Sequence, residues 1–187
     1  MLTLVLAVLS VSAATSFRLA LPLLALSLFY SQELFAHIPL FNRLDPRVIV
    51  AVGISWCLFE LFGSKKLLGQ RVLQIFQLIL SPFVGALAAM TVASIVEMNF
   101  QPIWLIGVIG GVFTLVLTLV QVGWFFRLGG IPIWVVYVED LLCFGLVTFA
   151  FLSPVEGGLI ALFILWLAVR SSGDWRNRYS PQSAKSV

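Results

Sequence analysis

Ile103–Phe126 reads IWLIGVIGGVFTLVLTLVQVGWFF, 24 residues without one charged side chain. As a helix it would rise about 36 Å at 1.5 Å per residue, enough to cross the ~30 Å hydrocarbon core of a bilayer. No polar stripe runs along it for water to wet. This stretch therefore predicts a membrane-spanning helix, and the rest of the chain follows the same pattern.

Five more apolar runs flank it: Leu4–Tyr30, Arg47–Gly63, Val72–Val96, Ile131–Leu152 and Val155–Val169, the last the shortest. Short punctuated connections separate them, FNRLDP, GSKKLLGQR, EMNFQP, RLGGIP and LSPVEGG. Pro46, Pro102, Pro132 and Pro154 fall at or beside run boundaries, where the missing N–H costs no helical bond. The composition agrees. Of the 187 residues 61% are hydrophobic and 10% charged, against roughly 25% charged in a soluble domain. The mean hydropathy is +1.10. So few charges cannot cover a water-facing surface. The expected fold is an all-α integral membrane protein of about six transmembrane helices. Residues 1–170 are expected to form one polytopic domain, and 171–187 a polar, disordered cytoplasmic tail.

The first run resembles a signal peptide in MLTLVLAVLSVSAATSF, but no Lys or Arg precedes it and hydrophobicity resumes beyond Arg18. It reads as a retained first span. Six spans place Lys65, Lys66, Arg71, Arg127, Arg170, Arg176, Arg178 and Lys185 on one side, eight of the eleven basic residues. The positive-inside rule then makes both termini cytoplasmic, in a cell inner membrane or a bacterial internal membrane. Trp104, Trp124 and Trp134 fall near predicted span ends, as an interfacial aromatic belt requires. The net charge of +3 is spread over run ends rather than gathered in a patch, which excludes a nucleic-acid partner. In the outer connection, Leu34, Phe35, Ile38, Phe41 and Leu44 can form an apolar interfacial face, and His37 reads as an interfacial side chain. Cys57 and Cys143 lie in apolar runs without metal-ligand spacing.

Three charges sit where lipid should be. Glu139 and Asp140 fall near the centre of their run and Arg18 near the centre of the first. Each costs about 2.5–3.5 kcal/mol to insert at a helix centre, so the three are expected to meet at the midplane. Neighbouring helical residues point about 100° apart, so Arg18 reaches both acids only from the edge between their faces. One positive and two negative charges need a proton, a cation or a second donor to balance. Tyr137 can donate to Asp140 from one turn away. Pro22 deprives the Arg18 carbonyl of its helical partner, beside the small polar Thr15 and Ser16, and Pro82 does the same to Leu78. The first and third helices are therefore expected to be proline-broken. Glu60, Gln74, Gln77 and Gln121 form a separate polar layer nearer the cytoplasm, either lining a vestibule or bonding neighbouring helices. Gly107-x-x-x-Gly111 and Gly85-x-x-x-Ala89 predict close helix packing.

The segments FRLALPLLAL, WCLFE, SPFVGALAA and VYVEDLL, in this order, resemble domain-of-unknown-function family 4126, a group of small bacterial polytopic membrane proteins. The likeness spans about Leu4 to Val169, and Glu139–Asp140 is its most specific piece. Pro22–Ala25 and Glu60 also fit. The chain departs from the family pattern where Ser64 replaces an acidic residue and Ser81 and Gln121 replace basic ones. The resemblance implies an architecture and no activity.

Two functions compete. One is a transporter or channel for a proton, small ion or small solute, built on Arg18, Glu139, Asp140 and the break at Pro22, with a homodimer expected for so small a carrier. The other is a non-catalytic subunit or assembly factor of a larger membrane complex. The chain has no HExxH, no His-rich metal site, no nucleophile–base pair and no phosphate loop, so neither an enzyme nor a cofactor is expected.

Overall fold

The computed structural model describes residues 2–29, 46–63, 67–96, 102–128 and 132–179. Among these the regular structure is seven helices and no strand: α1 Leu2–Phe17, α2 Ala20–Phe29, α3 Pro46–Gly63, α4 Leu67–Val96, α5 Ile103–Leu128, α6 Ile133–Leu152 and α7 Pro154–Tyr179. Four prolines sit at helix starts, where their missing N–H is harmless. Pro46 and Pro154 open α3 and α7, and the Pro102 and Pro132 carbonyls accept the first N–H bonds of α5 and α6. Four helices carry stretches long and apolar enough to cross a membrane: Gly69–Val96, Ile103–Arg127, Ile133–Leu152 and Pro154–Ser171. Leu2–Phe17 and Val50–Gly63 are shorter apolar helices.

Helix α1 is the centre of the bundle, packed against α4, α5, α6 and α7. Its sequence explains why. From Ala7 to Ser16 it is mostly Ala, Ser and Thr, and small side chains let four neighbours approach one axis. The hydroxyls reach outward as well: Ser10 donates to the Leu146 carbonyl of α6 at 2.7 Å. In return Thr114 of α5 donates to the Ser12 carbonyl at 2.9 Å. Helix α3 lies at the margin and packs on α2 and α4.

The distribution of polarity is inverted relative to a soluble protein. Ile75, Ile79 and Phe83 make an outward stripe on α4, and Leu141, Phe144 and Leu152 do so on α6. Buried instead are Arg18, Glu60, Gln70, Gln74, Gln77 and several threonines. Such an outer face is stable in lipid and not in water, so the protein is membrane-embedded. Trp104, Trp124 and Trp134 are exposed near helix ends, where an aromatic belt would lie.

Helices α4 and α5 pack most closely, through the glycines of the two small-residue motifs. A side chain at Gly85 would collide with Thr114, and a Cβ at Gly111 would lie 2.6 Å from the Pro82 carbonyl oxygen. Gly111→Ala is accordingly expected to destabilise by about 1–3 kcal/mol, the usual cost of overpacking. Gly123→Ala and Gly145→Ala serve as controls, because a Cβ at either meets nothing within 4 Å. Unfolding in mixed detergent micelles reads the difference. Equal losses at all three positions would mean that the close approach is not holding the pair.

Two expectations are corrected. Helix α4 runs unbroken through Pro82. The Leu78 carbonyl that Pro82 leaves without a partner accepts the Ser81 hydroxyl at 3.5 Å, and α5 packs directly on the Pro82 carbonyl, so the helix has no cause to break. Residues 171–179, expected to be disordered tail, continue α7 to Tyr179. The expected tail residues 180–187, and His37 with the apolar face around it, lie outside the described residues.

Candidate functional site at the helix break

The first apolar run is two helices. Helix α1 ends at Phe17, α2 begins at Ala20, and Arg18 and Leu19 lie between them. Pro22, the third residue of α2, is fully buried. With no N–H it cannot bond the Arg18 carbonyl, so a continuous helix would leave that carbonyl without its partner.

Both sides of the break are held by side chains from other helices. The Leu19 and Ala20 amides donate to Glu60 of α3, at 3.3 Å to Oε1 and 3.0 Å to Oε2. A carboxylate there also meets the positive end of the α2 dipole. Glu60 is 1% exposed and accepts a third bond, from Trp56 Nε1 at 3.2 Å. Across the break, the Phe17 carbonyl accepts from Gln77 Nε2 of α4 at 3.2 Å. The last regular α1 bond runs from the Arg18 amide to the Ala14 carbonyl, 3.1 Å, and the Cys143 thiol donates to the same oxygen at 3.3 Å.

Arg18 turns its side chain to α6. Its Nε bonds Asp140 Oδ1 at 2.6 Å, with the two side chains 5% and 19% exposed. Glu139, about 100° around α6, instead accepts from Gln121 Nε2 of α5 at 3.4 Å. Glu139 and Glu60 both remain within electrostatic range of the guanidinium. Of the three acids, Asp140 is the one bonded to the guanidinium.

Beside the break is a small chamber of about 20 Å³. Arg18, Gln70, Gln74, Gln77, Gln121 and Glu139 supply its polar wall and Phe17, Leu73 and Val136 its apolar one. Two buried polar atoms here have no protein hydrogen-bond partner, Arg18 Nη2 and Gln74 Oε1. On the α3 side of the break an apolar crevice of about 250 Å³ runs between α2, α3 and α4, with Leu19, Ala20 and Trp56 in its wall.

The two polar layers separated on sequence grounds are therefore one site. Glu60 and Gln77 hold the break itself, and Gln74 and Gln121 share a chamber with Arg18 and Glu139. The site is also displaced from the centre of the helices. Gln74 and Asp140 are each the eighth residue of α4 and α6, and Gln121 is the eighth from the end of α5. That puts the group about two turns, or some 10–12 Å, in from one end of these helices. Thr15 stands apart: its hydroxyl bonds the Val11 carbonyl of its own helix at 2.6 Å. Tyr137 is 53% exposed on the outer face of α6.

Trp56 and Gln70 were not singled out from sequence, yet both carried a signal. Trp56 stands four residues before Glu60, and Gln70, Gln74 and Gln77 follow the i, i+4, i+7 spacing of one helix face. Among the described residues no three of His, Cys, Asp and Glu gather closely enough to hold a metal ion.

No curated protein and no solved structure matches this chain. The features that define the site do fall inside one family match, which covers residues 5–173 and so includes Arg18, Pro22, Glu60, Glu139 and Asp140. The chain belongs to the family described as a domain of unknown function, DUF4126.

Proposed function

We propose that this protein crosses an inner membrane six times with both termini cytoplasmic, and that it passes a proton or small ion through the site at the α1–α2 break. The observation that carries this reading is a discontinuous central helix whose break is built from Arg18, Asp140, Glu60 and Gln77. Backbone that leaves its helix inside a membrane protein is tolerated where protein groups satisfy it, and transporters place such breaks at their binding sites. Six crossings come from counting α1 with α2 as one, then α3 to α7, and the basic connections set the orientation. Three carboxyl groups around one guanidinium call for protons or cations to balance them. A chamber of about 20 Å³ favours an ion over a larger solute. A homodimer fits the small size of the chain.

The subunit reading keeps one observation in its favour. Helix α3 packs on α2 and α4, and leaves Val52, Phe59 and Phe62 exposed, a face that a membrane partner or lipid can cover.

The test is ion flux in proteoliposomes holding the purified chain, beside Asp140→Asn, Glu139→Gln and Arg18→Ala. Flux of H⁺, Na⁺, K⁺ or Cl⁻ is expected from the parent and is expected to fall in variants that remain monodisperse. A flux-inactive parent, with variants that lose co-purification of a membrane partner, would favour the subunit reading instead.

A further inference from the structure

The chamber beside the break restricts what can occupy it, and the restriction comes from its two unpartnered atoms. Arg18 Nη2 is a donor on a residue 4% exposed, and Gln74 Oε1 an acceptor on a residue 8% exposed. Both residues line the same cavity. A buried polar atom left without a partner costs about 1–3 kcal/mol, so an occupant that serves both is strongly favoured. A bare metal cation cannot accept a hydrogen bond from the guanidinium and is repelled by its charge. A halide can accept from Arg18 but has no proton to give Gln74, and it meets the Glu139 carboxylate in the same wall. Water accepts and donates. The chamber of about 20 Å³ has room for a water molecule, which needs a cavity of at least about 10–15 Å³.

We propose that the chamber is a binding site for one water molecule held between Arg18 Nη2 and Gln74 Oε1, and that the ion admitted to the site is the proton. This rests on the permeation reading above. A proton hopping in along hydrogen-bonded water is taken up at the oxygen of the bound water as one of that water's own O–H protons passes to the Glu139 carboxylate, giving a carboxylic acid and leaving the water in place. The reverse step returns it. Sodium, potassium and chloride have no such route, because they would have to displace the water and leave either Arg18 or Gln74 unpaired. Gln74 is then a positioning residue: it holds the water and does not itself take the proton.

Two measurements on the full chain test this. Infrared difference spectra in H₂¹⁶O and H₂¹⁸O are expected to show an isotope-sensitive O–H stretch of a single ordered water, lost in Gln74→Leu. Proteoliposome flux, read with a pH-sensitive dye and with K⁺, Na⁺ and Cl⁻ probes, is expected to be proton flux, falling about tenfold or more in Gln74→Leu. The infrared result on the parent protein stands whether or not the variant folds. Absence of the isotope-sensitive band would overturn the water site whatever the flux. Metal-cation or chloride flux at a rate matching the proton would overturn proton selectivity while leaving permeation standing. The band without flux of any ion would overturn permeation, and proton passage with it.

Discussion

Arg18→Met is expected to destabilise the bundle by about 3–5 kcal/mol, the cost of taking one partner from a buried ion pair. The side chain is 5% exposed and its Nε bonds Asp140 at 2.6 Å. Methionine fills similar volume and suits an apolar interior, so the loss reports charge rather than a cavity. What remains is Asp140, 19% exposed and without its guanidinium, next to Glu139 along α6. Asp140→Leu should cost a similar amount for the opposite reason, because Arg18 already has one nitrogen without a protein partner. Unfolding by sodium dodecyl sulfate in mixed micelles measures both. Losses near zero would place Arg18 in water rather than in the bundle.

Glu60→Leu is the second large effect, and it acts on backbone. The carboxylate receives the Leu19 and Ala20 amides and the Trp56 indole. Leucine removes all three acceptor contacts. Two buried backbone donors at about 1–3 kcal/mol each give an expected loss of about 2–6 kcal/mol. Glu60→Gln is expected to fall between, since it keeps one acceptor oxygen but turns an N–H₂ group towards donors. The local signature is faster hydrogen exchange at Leu19 and Ala20, with the α4–α5 amides unchanged. Uniform acceleration through the whole bundle would instead give Glu60 a global packing role.

What the sequence disclosed and what it withheld divide along a physical line. The apolar runs were legible because lipid demands about 20 apolar residues per crossing, and the last four described helices follow them closely. The break near Pro22 was legible because one local rule, the loss of an N–H four residues after Arg18, acts within the segment. The same rule failed at Pro82. There the outcome depended on Ser81 and on α5 packing against Pro82, and no rule local to α4 reports a neighbouring helix.

The charge group shows the same divide. Insertion cost required Arg18 to find an acid, and it bonds Asp140. Glu60 reads as part of a separate layer from its depth along its own run, which carries no information about its neighbours. Its bonds to Leu19 and Ala20 span some forty residues of chain and depend on how α3 docks on α2. Trp56 and Gln70 were within reach, at helical spacing from residues already singled out. Thr15 was misleading, because a threonine in a helix commonly bonds its own backbone, as it does here to Val11.

A double-mutant cycle on Arg18 and Asp140 tests most directly whether the broken span and α6 meet as a charged pair inside the membrane protein. Arg18→Met, Asp140→Leu and the double variant are compared with the parent by unfolding in mixed micelles. The double variant is expected to be more stable than the sum of the single losses implies, by about 2–3 kcal/mol, because the apolar pair leaves neither charge stranded. Single losses that add to within about 0.5 kcal/mol would contradict the pairing.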